Sequence, residues 1–464
     1  MNQILALSGT QQARLIQNGE ISSAELMTAH LDQIDRINPS LNAAIEVLRV
    51  EATAEAHAVD ARRASGETLR PLEGVPFSIK DSIEVEGTLC SAGTLGYRNN
   101  SPSKADATLA ARLRNAGAIP LARTNVPDLL FAFESDNLIF GRTCNPYDLS
   151  RTSGGSSGGE AALIAACGSP FGLGSDAAGS VRLPAHYCGI TTIKPTSGRL
   201  PRTGHVPPAG GWIETLWQIG PMARHVEDLW TMMEILLGPD GEDRTVVPMP
   251  FARPPDRSPR IAFFTDNGIT SADSATAATV RNAARALSRE GMLVEEFRPP
   301  AVEQSYDLEM KLLGPDGGDS LRDFLSAIGS HRTHPLLDGW LGKLERYRTS
   351  LAGFAGYWND LDRFRTEMFQ TLRHFDILLS PVAAFPAVLH GASIDANIFP
   401  GFSYTMTHNL TGWPAAVVRC GTSPEGLPIG VQIAAGPWRE DLALAVAELL
   451  ESIFGGWQQP KPPR

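Results

Sequence analysis

The sequence predicts an α/β protein with a central sheet covered by helices, and three observations support this. Short β-rich runs such as VPFSIK and AIPLAR alternate with Gly/Ser/Thr loops and helical stretches over residues 71–238, which is typical of layered α/β cores. A strand–helix–strand pattern returns at residues 260–297. The length of 464 residues is sufficient for roughly three domains or for one large α/β unit with insertions.

The N-terminal segment is predicted to be helical over residues 5–60. Apolar side chains recur there at three- and four-residue spacing, and Ser22 and Ser23 stand where a helix N-cap is expected. We therefore expect residues 1–70 to form surface helices rather than a catalytic unit.

The remainder of the chain divides by composition. A β-rich core over residues 71–240 is followed by a Pro-rich excursion over residues 241–260, which contains VVPMPFARPP. A helical, aromatic-rich segment then spans about 300–375, and residues 376–464 return to the core. The helical segment could cap a site, although ordinary core packing explains its aromatic residues equally well.

Composition and charge exclude several classes of protein. The chain is 42% hydrophobic and 20% charged, without an apolar run near the ~20 residues that a bilayer span requires. Forty Lys and Arg against 51 Asp and Glu give a net charge of −11, so no nucleic-acid partner is expected. Five scattered cysteines predict neither a disulfide framework nor a zinc site, and the N-terminus lacks the pattern of a signal peptide. We expect a cytoplasmic location.

Two Gly/Ser loops carry the densest chemical signal, in RTSGGSSGGEAALIAAC and GLGSDAAGSVRLPAHYCG. Glycine allows the backbone N–H groups of such loops to point at one spot. Phosphate binding is one use of this arrangement, but no lysine follows the glycines as it does in a P-loop. The other use is acyl chemistry, in which a serine attacks a carbonyl and the amides stabilise the oxyanion. Ser156 and Ser180 are then the candidate serines.

The same stretch also satisfies the G-x-S-x-G pattern of a nucleophile elbow, which would make Ser157 the nucleophile. An elbow requires an apolar strand directly before the serine, whereas NPYDLSRTSG is polar. The acid and the histidine would be Asp376 with His390 or His408, which only their order in the chain suggests.

Lys80 is the candidate base for a serine that lacks a histidine. A lysine can serve if burial lowers its pKa enough to keep it neutral near pH 7. Lys80 ends the apolar run VPFSIK, so we expect it at the end of a core strand, away from water. The competing interpretation is a strand-end lysine paired with a carboxylate.

Four motifs in this order, GVPFSIKD, TSGGSSGGEAAL, GSDAAGSVRLPA and GPMARHVEDL, resemble the amidase signature family of serine amide hydrolases. The resemblance covers roughly residues 5–240 and 375–455, and the segment at 300–375 matches no motif. It implies a single large domain, with a mixed central sheet covered by helices on both faces and a helical insertion. It also implies hydrolysis of carboxamide C–N bonds through an acyl-enzyme, without a cofactor or a metal.

The resemblance assigns three catalytic residues by their positions in these motifs. Ser180 is the nucleophile, and Ser156 is the bridging serine, which follows a cis peptide bond in this family. Lys80 is the base that takes the proton through Ser156 and returns it to the leaving amine. Asp176 and Arg182 could form a buried ion pair that braces the nucleophile loop.

The resemblance also assigns an oxyanion hole and one pocket residue. The hole would be formed by the backbone N–H groups of Ala177, Ala178, Gly179 and Ser180. The family often has glycine where this chain has Ala178, and the donor survives that change if the residue has a negative φ. Leu130 matches a position that lines the acyl pocket of fatty acid amide hydrolases, although a core leucine is the commoner case.

The substrate is expected to be a small molecule with an aromatic or apolar group. The loops at 204–217 and 390–408 supply aromatic side chains for a pocket, namely Trp212, Trp217, Phe399, Phe402 and Tyr404. Amides, anilides and carbamates all fit the same oxyanion hole, so esterase or urethanase side activity is conceivable. His186 and His205 could touch substrate or merely pack, and His331 with His334 is interpreted as a pair of surface histidines rather than a metal site.

Two other functions compete with a free-standing amidase. The chain could be the amidase-like subunit of a glutamine-dependent amidotransferase, but that branch commonly has Gln where this chain has Leu183. It could also be a binding protein with a dead site, which the presence of all three catalytic positions argues against. The resemblance further suggests a homodimer.

Overall fold

A computed structural model of the chain describes residues 3–208, 210–254 and 258–461. Within these ranges the α-helices are α1 (Gly9–Asn18), α2 (Ser23–Leu41), α3 (Arg49–Ala64), α4 (Thr108–Asn115), α5 (Gly158–Ala165), α6 (Arg182–Cys188), α7 (Val226–Leu236), α8 (Ser274–Arg289), α9 (Ser305–Leu313), α10 (Asp319–Ala327), α11 (Pro335–Leu344), α12 (Leu351–Thr371), α13 (Ser403–Leu410) and α14 (Glu440–Phe454). The strands are β1 (Ala44–Val47), β2 (Pro76–Lys80), β3 (Ile119–Thr124), β4 (Asp136–Asn137), β5 (Gly141–Arg142), β6 (Cys144–Asn145), β7 (Asp148–Thr152), β8 (Phe171–Asp176), β9 (Thr191–Lys194), β10 (Gln218–Ala223), β11 (Arg260–Phe263), β12 (Leu293–Glu296), β13 (Ile377–Pro381), β14 (Ala415–Thr422) and β15 (Pro428–Ala435).

The central sheet has eleven strands in the order β1-β3-β2-β8-β10-β9-β14-β15-β13-β11-β12. It is mixed, because β2 runs parallel to both β3 and β8, whereas β10 is antiparallel to β8 and to β9. The remaining strands, β4 with β5 and β6 with β7, form two small separate hairpins. The predicted α/β class with a mixed central sheet is confirmed.

The prediction that residues 5–60 form helices is wrong at one place. Ala44–Val47 forms β1, an edge strand that pairs antiparallel with β3. The end of α2 is set locally, because Asn42 adopts the left-handed conformation and the Asn38 side chain accepts hydrogen bonds from the N–H groups of Ala43 and Ala44. The predicted N-cap is present, and Ser22 forms a capping box with Glu25 at the start of α2.

The helical segment predicted near 300–375 contains α9 to α12. Its apolar face joins a cluster of buried side chains that also includes residues from loops of the core. In this cluster the Trp340 ring lies 5.5 Å from the ring of Phe133 and 4.9 Å from that of Phe399. The segment therefore packs against the core elements that surround the candidate site.

Glycines in the first Gly/Ser loop and in β8 allow α5 to pack tightly against the sheet. A Cβ atom on Gly159 would collide with the backbone of Asn125. One on Gly172 would collide with the Glu160 carboxylate and with the backbone of Ser78. The sequence therefore uses glycine here for close approach of backbone to backbone, and this brings the start of α5 beside the ends of β2 and β8.

None of the helices within residues 3–208, 210–254 and 258–461 combines the length and the apolar character that crossing a membrane would require.

Candidate active site

Lys80 lies at the carboxyl end of β2, and its side chain is completely buried. Its Nζ atom is 2.7 Å from Ser156 Oγ, 3.0 Å from Ser175 Oγ and 3.3 Å from the Ser175 carbonyl oxygen. The neighbouring Asp81 instead accepts a hydrogen bond from Arg123, with a distance of 3.0 Å between Nη2 and Oδ1. Lys80 therefore contacts hydroxyl and carbonyl groups rather than the adjacent carboxylate.

Burial favours the neutral amine of Lys80, which can accept a proton near neutral pH. It lowers the pKa of Lys80 from 10.5 to about 7, against the opposing effect of Asp176 and Glu160. Burial also raises the pKa of Glu160 from 4.5 to about 8, so that carboxyl group is largely protonated at pH 7. Of these two groups, Asp176 is the ionised one that favours charged Lys80, and Arg182 already pairs with it.

Ser156 lies in the loop before α5 and follows a cis peptide bond at Gly155–Ser156. The resemblance implied this bond. Its hydroxyl faces Lys80, and both Ser156 and Ser180 line the same pocket. Ser180 lies in the loop that joins β8 to α6, and among the described residues its hydroxyl has no hydrogen-bond partner.

The Asp176–Arg182 pair holds the loop that carries Ser180. Arg182 donates two hydrogen bonds to the carboxylate, at 3.0 Å and 2.8 Å, and both side chains are fully buried. The same carboxylate accepts the N–H groups of Gly179 at 2.8 Å and Val181 at 3.2 Å. Burial alone would raise the pKa of Asp176, but Arg182 outweighs it and holds the pKa well below its usual value. The pair therefore braces the loop that carries Ser180.

Three of the four predicted oxyanion donors are free to bind a ligand. The Gly179 N–H group is engaged by Asp176, whereas those of Ala177, Ala178 and Ser180 have no acceptor among the described residues. Those three residues also line the pocket. Ala178 keeps a negative φ, and the left-handed turn falls on Gly179 with φ of +120°. Gly179 thus provides the backbone conformation that turns the other amides toward the pocket.

The pocket above Ser156 and Ser180 has a volume of about 130 Å³ and mainly apolar walls. The predicted Leu130 lies on this wall, next to Leu129, and both have positive φ. The wall combines residues from the core, from the loop after β9 and from the helical segment, including Leu130, Phe133, Ile213, Trp217, Leu313 and Trp340. Of the other aromatic residues singled out in the sequence, Phe399 and Phe402 pack behind Phe133, and Tyr404 bonds to backbone carbonyls outside the pocket.

The structure does not bring together the residues of the nucleophile-elbow interpretation. Ser157 is fully buried, and its hydroxyl donates to the Ser175 carbonyl oxygen at 3.3 Å. Asp376, which directly precedes β13, forms an ion pair with Arg260 at the start of β11. His390 interacts with the Leu149 carbonyl oxygen, and His408 is buried on α13.

Ser175 and His205 belong to the site, although neither was assigned a role from the sequence. Ser175 Oγ lies 2.9 Å from His205 Nε2, and both residues line the pocket. Ser175 directly precedes Asp176 in the motif GSDAAGSVRLPA, so its position in the sequence could have indicated that it lies near Ser180. His205 follows β9 in a loop whose path the sequence does not reveal. The other candidate, His186, packs on α6 between the Phe385 carbonyl and the Gly430 N–H.

Replacing Arg182 with methionine is expected to lower the free energy of unfolding by about 3–5 kcal/mol, because the Asp176 charge would stay buried without its partner. Urea unfolding, followed by circular dichroism, measures the change. Arg49→Met is the matched control, since Arg49 pairs with Asp35 but both are largely exposed, and a loss of under about 1 kcal/mol is expected there. Equal losses in the two variants would contradict a bracing role for the buried pair.

Comparison with known proteins shows similarity along almost the whole chain. A family model described as Amidase matches residues 25–444. Fatty-acid amide hydrolase 2 of Homo sapiens is 32% identical over 490 residues, which cover 98% of this chain and 91% of that protein. A glutamyl-tRNA(Gln) amidotransferase subunit of Symbiobacterium thermophilum is 32% identical over 480 residues, which cover 96% of each chain.

The fold is shared with a solved structure of similar length. The structure of 6-aminohexanoate cyclic dimer hydrolase, complexed with substrate, matches with a TM-score of 0.87 at 27% identity. The match covers 98% of this chain and 99% of that one. The similarity thus includes both the motif-bearing core and the helical segment for which the sequence offered no motif.

Proposed function

The chain belongs to the amidase family of amide hydrolases, and on that premise we propose that it cleaves neutral, apolar amides with a Ser180–Ser156–Lys80 triad. The observation that carries this proposal is the 2.7 Å contact between Ser156 Oγ and a fully buried Lys80. It supplies a base of suitable pKa and a hydroxyl to relay the proton, in the pocket that also contains Ser180.

The proposed reaction begins with neutral Lys80. Lys80 accepts the Ser156 hydroxyl proton while Ser156 takes the proton of Ser180, and Ser180 Oγ bonds to the carbonyl carbon. The resulting oxyanion accepts hydrogen bonds from the N–H groups of Ala177, Ala178 and Ser180. These donors are oriented before the substrate arrives, and losing one such donor typically costs about 10²–10³ in rate.

Collapse of the tetrahedral intermediate breaks the C–N bond. The proton held by Lys80 returns through Ser156 to the departing nitrogen, which leaves as a neutral amine or as ammonia. Water then attacks the acyl-enzyme, and the same relay removes its proton and restores the Ser180 hydroxyl. The products are a carboxylic acid and an amine, and Lys80 ends each half-reaction neutral.

The pocket walls favour a neutral substrate with an apolar or aromatic group. Among the described lining residues, the charged side chain is Asp176, and Arg182 already neutralises it. Burying a charged group in such an apolar pocket without an ion partner costs free energy. Leu130, Trp217 and Trp340 would instead bury an alkyl or aryl group of an amide, an anilide or a carbamate.

The amidotransferase alternative fits this pocket less well. Free glutamine carries both an ammonium and a carboxylate group, whereas the charged residue among the described lining residues, Asp176, is already paired with Arg182. Leu183 follows Arg182 where that branch commonly has Gln. A homodimer and a cytoplasmic location stay predictions from the sequence, as does the division of the chain into core, excursion and cap.

A set of 4-nitroanilides tests the proposed substrate class. We expect the hexanoyl and phenylacetyl anilides to be cleaved with kcat/KM at least about 10²-fold above that of the succinyl anilide, because its carboxylate would be buried unpaired. Trp340→Ala should lower kcat/KM for the phenylacetyl anilide by about 10- to 100-fold. The acetyl anilide is the control substrate for Trp340→Ala, since its acyl group is too short to contact Trp340.

The opposite pattern would contradict the proposal. Equal or better cleavage of the succinyl anilide would show that the pocket accepts charge. Silence on every anilide, carbamate and ester, together with no labelling by a fluorophosphonate, would argue against a hydrolytic site. Ammonia release from glutamine only after a partner protein is added would favour the amidotransferase alternative.

A further inference from the structure

We propose that His205 is a positioning residue which, through the Ser175 hydroxyl, turns the Lys80 lone pair toward Ser156. The inference rests on the proposed function and adds to it a residue outside the triad. It depends on the direction of each hydrogen bond in a chain that runs from the Pro207 carbonyl to Lys80.

The tautomer of His205 follows from its partner at Nδ1. That nitrogen lies 2.8 Å from the Pro207 carbonyl oxygen, which can only accept a hydrogen bond. Nδ1 therefore carries the proton, and Nε2 is an acceptor. Burial lowers the pKa of His205 from 6.5 to about 3, so the ring stays neutral at working pH. The ring also packs on Trp217, with 4.6 Å between ring centroids, which fixes its orientation.

The Ser175 hydroxyl has its direction set by His205. Ser175 Oγ lies 2.9 Å from Nε2, so its single proton is donated to the histidine. What Ser175 Oγ presents to Lys80, 3.0 Å away, is a lone pair. The Ser82 hydroxyl lies 3.1 Å from the same nitrogen, so the two hydroxyl groups share its single lone pair and Ser175 is the closer of the two donors.

This arrangement leaves one orientation for neutral Lys80. A neutral amine has two N–H groups and one lone pair. The Ser175 carbonyl oxygen and Ser175 Oγ each accept one N–H group. The remaining direction, toward Ser156 Oγ at 2.7 Å, is occupied by the lone pair that must receive the proton. His205 thus prepares Lys80 to act as a base before substrate binds.

Removing the acceptor at His205 would free the Ser175 proton. That hydroxyl would then compete with Ser156 by donating to the Lys80 lone pair, and the base would be occupied by the wrong partner. The charged and titratable groups facing Lys80 are Asp176 on β8 and Glu160 on α5, and Lys80 and Arg202 face His205. None of these is altered by a substitution at His205, so Lys80 would still titrate.

Three variants test the inference with the hexanoyl 4-nitroanilide. His205→Phe keeps a ring against Trp217 but removes the acceptor, and we expect kcat to fall by about 10- to 100-fold with a smaller change in KM. His205→Gln restores an acceptor oxygen and should recover most of that loss. In a Ser175→Ala background, His205→Phe should cause no further loss, because the hydroxyl through which His205 acts is gone.

The pH profile separates positioning from catalysis. In His205→Phe, the plot of kcat/KM against pH should keep its acidic limb near pH 7, since Lys80 remains the titrating base. The plateau value of kcat/KM should fall. Loss of the limb would show that His205 is itself the base and would overturn the inference. An undiminished effect of His205→Phe in the Ser175→Ala background, or a Gln variant as impaired as the Phe variant, would also overturn it.

His186→Phe is the matched control for losing a buried neutral histidine. His186 also accepts at one ring nitrogen and lies near a carbonyl at the other, but it contacts Gly430 and Phe385 rather than the triad. The His186→Phe substitution should lower thermal stability while leaving kcat within about 3-fold of the wild-type value. Activity that survives in Ser180→Ala would refute the proposed function itself, which is a different outcome from failure of the His205 variants alone.

Discussion

Replacing Ser180 with alanine is expected to lower kcat/KM for the hexanoyl 4-nitroanilide by about 10⁴- to 10⁶-fold, because no acyl-enzyme can form. Residual turnover would come from the oxyanion donors, which the substitution leaves in place. Initial rates at pH 8, where Lys80 is largely neutral, measure the loss. A fluorophosphonate should add one phosphonyl group to the wild-type chain and none to the variant, as read by intact mass.

Ser157→Ala is the control that distinguishes the two serine assignments. Ser157 is fully buried and donates to the Ser175 carbonyl oxygen, so its loss should cost less than about 10-fold in kcat/KM. Peptide mapping of the phosphonylated wild-type chain should place the label on Ser180. A label on Ser157, or full activity in Ser180→Ala, would support the nucleophile-elbow interpretation instead.

The sheet was predictable because its strands are unusually distinct in sequence. VPFSIK and AIPLAR are mainly apolar and each directly follows a glycine, and they form β2 and β3. The strand β1 was missed because four residues, only one of them buried, carry too little periodicity to interrupt a helical pattern. Its existence depends on pairing with β3, some 80 residues later, which local sequence cannot reveal.

Burial of Lys80 was also predictable, but its partner was not. Lys80 and Asp81 are adjacent at a strand end, where successive side chains point to opposite faces of the sheet. The sequence left open whether they interact. The fold separates them, with Lys80 toward Ser156 and Asp81 toward Arg123. Which face held the serine depended on how α5 packs, a long-range property of the sheet.

The oxyanion donors show a similar limit. The motif predicts four consecutive N–H donors, but the folded structure shows that the Gly179 N–H group already donates to the Asp176 carboxylate. The sequence analysis named His205 only as a residue that could touch substrate or merely pack. Its contact with Ser175 was not predictable, because the two residues lie 30 positions apart in the chain. Its approach depends on the path of the loop after β9 and on packing against Trp217. Local patterns encode neither feature.

Replacing Lys80 with methionine is expected to lower kcat/KM by about 10²- to 10⁴-fold, the range typical for loss of a general base. Wild-type kcat/KM should rise with pH through about 7 and then level off, because Lys80 can accept a proton only after it has lost its own. In the variant this limb should be absent. Lys80→Arg should be equally inactive, since a guanidinium stays charged at any working pH and offers no lone pair.

The same substitution should also change how stability depends on pH, because folding lowers the pKa of Lys80. The pKa of Lys80 is about 7 in the folded chain and near 10.5 when unfolded, so between these values the unfolded state binds more protons. Wild-type stability should therefore rise with pH across that window, and Lys80→Met should show a smaller rise, since the contribution of the similarly buried Lys194 remains. Urea unfolding at pH 7 and pH 10 measures the two slopes. Identical slopes would mean that Lys80 remains charged in the fold, and the general-base assignment would fail with it.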